Sequence, residues 1–282
     1  MTTNSTLDIR TTRTGVTELR RRWRASHPWA SALIVHGLAE HSGRYELAGS
    51  YLASAGIDTY SFDLLGFGGS GGRRADTERW STYLLQVVDN LAPLFAGNLP
   101  VLLVGHSVGG LIVIDYTLSR HRLPDLVVLN APALDAVVPD WKRMGTPILA
   151  RMAPRLTLGN PIYPEEIFID PESARDYQAD PLMVTRTSVR LGDLILRTMD
   201  RVRRSLDMYT PPTLVLHGEA DTLVPIEVSA GLEPLPNVER RVYPGIRHGS
   251  INEPEGIRML EDVAAWARRM LSDPPAACQS PA

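Results

Sequence analysis

A chain of 282 residues, 44% hydrophobic and 22% charged, has ample material for a buried core. Its formal net charge of −3 offers no electrostatic case for nucleic acid or an anionic membrane as a partner. The one cysteine, Cys278, excludes a disulfide framework, and neither an apolar signal-peptide core nor a run near the ~18 apolar residues of a membrane span occurs, so a cytoplasmic protein is expected.

Residues 1–12 are expected to fray. From Thr17 to Trp29 the chain reads as an edge strand or hairpin arm, where Arg20, Arg21, Arg22 and Arg24 make a solvated edge that resists aggregation. Ser31-Ala-Leu-Ile-Val-His36 is a buried strand, stopped by Gly37-Leu-Ala-Glu-His-Ser-Gly-Arg-Tyr45. A helix from Tyr45 to Ser54 closes at Ala55-Gly56, and the next strand is Ile57–Asp63. It leaves through the glycine-rich turn Leu65-Gly-Phe-Gly-Gly-Ser-Gly-Gly72. Trp80, Tyr83, Leu84, Val87, Val88 and Leu91 recur at helical spacing and predict a helix from Glu78 to Leu94.

Val101–Val104 is a buried strand running straight into Gly105-His-Ser-Val-Gly109 and an apolar helix, and Leu126–Asn130 is a further strand. Alternating strands and helices predict an α/β fold with a mostly parallel sheet and right-handed crossovers. Between Asp135 and Leu206 the rhythm breaks: no clear strand appears, and prolines recur at 139, 147, 154, 161, 164, 171 and 181. Trp141, Met144, Ile148, Leu149 and Met152 share a helical face that Pro147 must kink or divide, and Leu191–Met208 reads as a second helix. Strands Thr213–His217 and Arg241–Tyr243 and a helix Gly256–Leu271 complete the chain. The expected organisation is a core of 1–134 and 207–275, a helical cap of 135–206 inserted between sheet strands, and a disordered tail of 276–282. The cap would cover the sheet's C-terminal edge, where open α/β sheets bind ligands.

A G-x-S-x-G turn between strand and helix is a nucleophile elbow, which holds Ser107 in a strained backbone conformation clear of the sheet. Side chains at Gly105 or Gly109 would crowd so sharp a turn. A serine hydroxyl needs a base and an orienting acid, which follow it in the order Ser…Asp/Glu…His. Of the downstream histidines, His121 lies at the far end of the elbow helix and His217 ends a strand. His248, in the loop Pro244-Gly-Ile-Arg-His-Gly-Ser-Ile251, can reach over the sheet edge and is the expected base. In His217-Gly-Glu-Ala-Asp-Thr-Leu-Val-Pro225 the expected acid is Asp221, with Glu219 as the fallback. The backbone N–H of Val108 and of Leu38, in the loop after an earlier strand, are the expected oxyanion-hole donors. His36 and His41 lack carboxylate or cysteine partners at metal-ligand spacing, so no metal or cofactor is implied.

These motifs resemble the monoacylglycerol lipases of the serine α/β-hydrolase superfamily over nearly the whole chain. His36 to Tyr45 is similar to their HGxGEHSGRY block, Asp63 to Ser70 to their DxxGHGxS turn, and Gly105 to Gly110 to their GHSMGG elbow. Asp180-Pro181-Leu182, Asp221 to Pro225 and His248 to Pro254 fit the same pattern. The resemblance implies an α/β-hydrolase fold, a Ser107–Asp221–His248 triad and an oxyanion hole at Leu38 and Val108. Ala39, Phe67 and Gly249 depart from a glycine, a histidine and a glutamate of the pattern.

The expected activity is hydrolysis of carboxylic esters through an acyl-enzyme. The substrate would be a small acyl ester, with monoacylglycerols and other medium- to long-chain esters leading. A cofactor-free perhydrolase or C–C bond hydrolase shares the triad, and a non-catalytic ligand-binding relative shares the fold but usually loses a triad member. An apolar cap rim would be free to touch a lipid surface or a second subunit, and the sequence leaves the oligomeric state open.

Overall fold

The computed structural model describes residues 4–135, 139–159 and 162–272. The 276–282 tail with Cys278, and Pro161, lie outside the described residues. The chain opens on a hairpin rather than a frayed end: β1 (Thr6–Thr11) pairs antiparallel with β2 (Thr17–Trp23), from Thr6 opposite Arg22 to Thr11 opposite Thr17. The turn between them carries Gly15 at φ +78°. Arg10 and Arg20 both bond the buried Glu18, so the arginines of this edge hold it together as well as solvating it.

The parallel part of the sheet begins with β3 (Ala30–Val35) and continues through α1 (Glu46–Ser54), β4 (Ile57–Phe62), α2 (Ser81–Phe95), β5 (Val101–His106), α3 (Val108–Leu118) and β6 (Leu126–Asn130). The chain then leaves the sheet for α4 (Asp140–Met152), β7 (Thr157–Gly159), α5 (Pro164–Ile167), α6 (Pro171–Ala179), β8 (Arg186–Ser188) and α7 (Val189–Arg203). It returns with β9 (Thr213–Gly218), α8 (Ile226–Ala230), β10 (Val238–Tyr243) and α9 (Ile257–Ser272).

The strand order is β1-β2-β4-β3-β5-β6-β9-β10, antiparallel only at β1 and β2. Alternation divides the core between the two faces. Leu33, Val35, Leu103 and Val127 pack with residues of α2, α3 and α7 on one side. Ala32, Ile34, Leu102 and Val128 pack with α1 and α9 on the other. From β3 the chain goes to β4 on one side, and β5 adds on the other, so the ends of β3 and β5 flank the switch point where such sheets open a crevice.

The excursion between β6 and β9 differs from expectation in one way. β7 and β8 form a small antiparallel ladder where no strand was expected, because three-residue strands carry no readable alternation. The helix α4 runs undivided through Pro147, at the cost of one backbone hydrogen bond. Its apolar residues Met144, Ile148 and Met152 are 77%, 65% and 78% exposed, while the Trp141 side chain lies outside the described structure. The excursion is tied to the core by Asp76, which accepts from the Ser188 hydroxyl at 2.7 Å and from Arg190 at 2.6 Å.

Candidate active site

β5 ends in a backbone reversal at Ser107, with φ +52° and ψ −120°, immediately before α3. A non-glycine residue held there stores about 1–3 kcal/mol of strain. The surroundings fix it: the Ser107 N–H donates to the Asn130 carbonyl at 3.0 Å, and its carbonyl accepts from Leu111 and Ala133. A Cβ on Gly109 would sit 2.1 Å from the Val35 carbonyl oxygen, so only glycine lets α3 pack this closely on β3.

His248 lies in the loop after β10 and its Nδ1–H donates to Asp221 Oδ2 at 2.6 Å, which leaves Nε2 as the proton acceptor. Asp221 is buried, and its Oδ1 accepts the Leu223 and Val224 N–H groups, each at 2.9 Å. Burial pushes the Asp221 carboxyl up, but the facing His248, hydrogen bonds from His217 and His248, and the Val224 amide hold it well below the usual carboxylate range. His217 braces the loop, donating from Nε2 to the Val224 carbonyl at 2.7 Å and bonding the Ser229 hydroxyl through Nδ1. The fallback acid Glu219 is exposed, and His121 is exposed and stacks on Tyr116.

Leu38 and Val108 line one cavity of about 340 Å³ together with Ser107 and His248. Among the described residues, neither the Leu38 nor the Val108 N–H has an acceptor. The Gly37 N–H, by contrast, is taken by Glu40 Oε1 at 2.6 Å, which also accepts the Tyr45 hydroxyl at 2.7 Å. Asp63 at the end of β4 ties two loops by accepting the Ser42 and Gly69 N–H groups. Phe67 packs edge-on against His36. Gly249 has no room for a side chain: a Cβ would meet the Phe168 ring at 2.5 Å. The long wall of the cavity is apolar, from Ile195 and Met199 on α7 and from Leu223 and Val224. Glu40, His106, Tyr177 and Asn252 add polar groups to the lining.

His106 and Asn130 were not singled out from the sequence, because their importance lies in contacts between strand ends. Asn130 Nδ2 donates to His106 Nδ1 at 2.8 Å and Asn130 Oδ1 accepts from Ser250 at 3.0 Å, beneath the His248 ring 4.7 Å from that of His106. Burial, then the charge of His248, push the His106 imidazole down to about 4. A histidine with a depressed pKa supports the fold fully above its unfolded value near 6.5, and that support fades as pH falls towards 4. The loss from this group is on the order of 3 kcal/mol. Buried His36 shifts in the same direction, chiefly through burial. The urea midpoint should therefore fall steadily between pH 7 and pH 4.5, and a flat profile there would contradict the buried neutral histidines.

A mostly parallel sheet with a strained serine at its switch point and a carboxylate-oriented histidine beside it defines the serine α/β hydrolases. Residues 26–255 match the family described as serine aminopeptidase, S33. The chain belongs to that family, as a serine hydrolase of the lipase and esterase kind. It is 31% identical to a monoacylglycerol lipase of Mycolicibacterium smegmatis, over 85% of this chain and 88% of that one. A solved monoacylglycerol lipase of Paleococcus ferrophilus superposes with a TM-score of 0.79 at 29% identity, covering 89% of this chain and 97% of the other. A soluble variant of monoglyceride lipase from Saccharomyces cerevisiae, bound to a substrate analog, shares the fold with a TM-score of 0.85 at 20% identity, over 95% and 96% of the two chains.

Proposed function

We propose that this chain hydrolyses monoacylglycerols, with Ser107, His248 and Asp221 as its catalytic triad. The observation that carries the reading is the 2.6 Å bond from His248 to Asp221 beside the cavity shared by Ser107, Leu38 and Val108. Ser107 Oγ attacks the ester carbonyl as His248 Nε2 takes its proton, and the oxyanion is stabilised by the N–H groups of Leu38 and Val108. His248 returns the proton to the departing alcohol. Water, activated by the same histidine, then attacks the acyl-enzyme and frees Ser107.

The substrate reading draws on the mixed lining of the cavity. The apolar wall of Ile195, Met199, Leu223 and Val224 suits a medium to long acyl chain. Asn252 lines the cavity, and its Oδ1 is buried without a hydrogen-bond partner among the described residues. Unpaired buried polar groups favour a ligand that satisfies them, here the hydroxyls of glycerol. Residues 135–206 serve as the cap, since Ile167, Phe168, Tyr177, Ile195 and Met199 come from them. The exposed Met144, Ile148 and Met152 on α4 give that cap an apolar rim for transient contact with a lipid surface. Among the described residues no helix is long and apolar enough to cross a membrane. A chain with one cysteine suits the reducing cytoplasm, which we take as its location.

A fluorophosphonate should label the wild type and spare Ser107→Ala. Glycerol should then be released faster from monoacylglycerols than from triacylglycerols. Faster cleavage of short p-nitrophenyl esters or aminoacyl anilides, without glycerol release, would reject the substrate.

A further inference from the structure

The far end of the excursion grips the loop that carries Leu38 at two points. The first is His41, whose Nε2–H donates to Asp180 Oδ2 at 2.8 Å. That tautomer is set because His41 Nδ1 accepts the Gly43 N–H at 3.1 Å. The second is the Val184 N–H, which donates to the Ala39 carbonyl at 2.9 Å. Asp180 serves both links, since its Oδ1 accepts the Leu182 N–H at 2.9 Å and so turns the chain towards Val184.

What these links hold is a strained segment. Ala39 sits at φ +70° and is 1% exposed. An alanine in the left-handed region stays there only while its surroundings over-determine it. Its peptide unit adjoins Leu38, whose N–H is one of the free donors facing the cavity. Glu40 fixes the preceding Gly37 N–H from the core side, so the Leu38–Ala39 unit is clamped from the core at one end and from the excursion at the other. An oxyanion donor must lie within hydrogen-bond reach of a charge that exists only during the reaction, so a small displacement there costs rate rather than binding.

We propose that Asp180 is a positioning residue for the oxyanion hole, acting through His41 and through the Val184–Ala39 link to hold the Leu38 N–H in place. The proposal rests on the assignment of Leu38 as an oxyanion donor. Asp180→Ala removes the link from the excursion side. His41→Asn removes it from the core side, because the asparagine Oδ1 still accepts the Gly43 N–H but does not reach Asp180.

Both variants are assayed on a p-nitrophenyl ester and by the rate of fluorophosphonate labelling. Each is expected to lower kcat about tenfold to a hundredfold with KM changed less than about twofold, and to slow labelling in proportion. The double variant should fall no further than Asp180→Ala alone, because that substitution already removes the link His41→Asn cuts. A kcat within twofold of wild type in the folded variants, or losses that multiply in the double variant, would overturn the proposal. If Asp180→Ala does not fold, His41→Asn decides alone by the same criteria. A wild type that is never labelled at Ser107 would instead sink the hydrolase reading on which the proposal stands.

Discussion

Ser107→Ala is expected to lower kcat about a millionfold, and His248→Ala by a similar factor. The two losses should not multiply, because a serine without its base and a base without its serine are equally idle. The double variant is therefore expected to match either single one, with the residual rate coming from the oxyanion hole and substrate binding. Ser107→Ala leaves the Asp221–His248 bond and the Asn130 and Ala133 backbone contacts in place, and alanine at φ +52° carries the same strain. Its melting temperature should thus stay near that of the wild type. Activity above about one per cent in a folded Ser107→Ala would show that another group performs the attack.

Gly109→Ala should prevent normal folding rather than catalysis. The added Cβ would lie 2.1 Å from the Val35 carbonyl oxygen and 2.5 Å from that of His36, both backbone atoms at the end of the central strand β3. Relief requires α3 to lift from the sheet, which would also open contacts of the fully buried Leu111, Ile112 and Ile114. A destabilisation above about 4 kcal/mol is expected, large enough to leave much of the chain unfolded. Gly192→Ala is the matched control: it lies within α7 and a Cβ there meets nothing within 4 Å. That variant should gain about 0.5–1 kcal/mol from helix propensity. Urea unfolding of the pair checks both, and a Gly109→Ala protein within 1 kcal/mol of wild type would refute the packing argument.

The buried strands were legible because continuous apolar runs between glycine-rich turns have few other homes in a chain of this length. The elbow was legible because its glycines mark a backbone path that other residues cannot take. Chain order then narrowed the partners of Ser107, but it left Asp221 and Glu219 two residues apart on one loop. The structure separates them: Asp221 is buried and accepts from His248, and Glu219 faces solvent. The hairpin at β1 was missed because its pairing partner, not its own pattern, makes it a strand. The apolar face of α4 was legible as a face, but helical periodicity does not report what such a face meets, and in the structure it meets solvent. Asn130 and Ser250 meet across 120 residues of sequence, where no local spacing announces them.

The uneven fastening of the excursion has a consequence for how the molecule breathes. Its middle, from Glu165 to Asp170, is fastened to the His248 loop by Arg247 to the Glu165 and Phe168 carbonyls, by Gly249 N–H to Ile167, and by Glu253 to the amides of Ile169 and Asp170. Amides there are expected to exchange with deuterium only when the His248 loop opens, so their protection should approach that of the sheet. α4 has Met144, Ile148 and Met152 in solvent, and its attachments among the described residues include Arg143 to Asp135 and Asp200 and packing on α7. Its amides should exchange well before those neighbours, as a separate unit of low opening free energy. α4 is thus free to loosen while the segment bonded to the His248 loop keeps its registration.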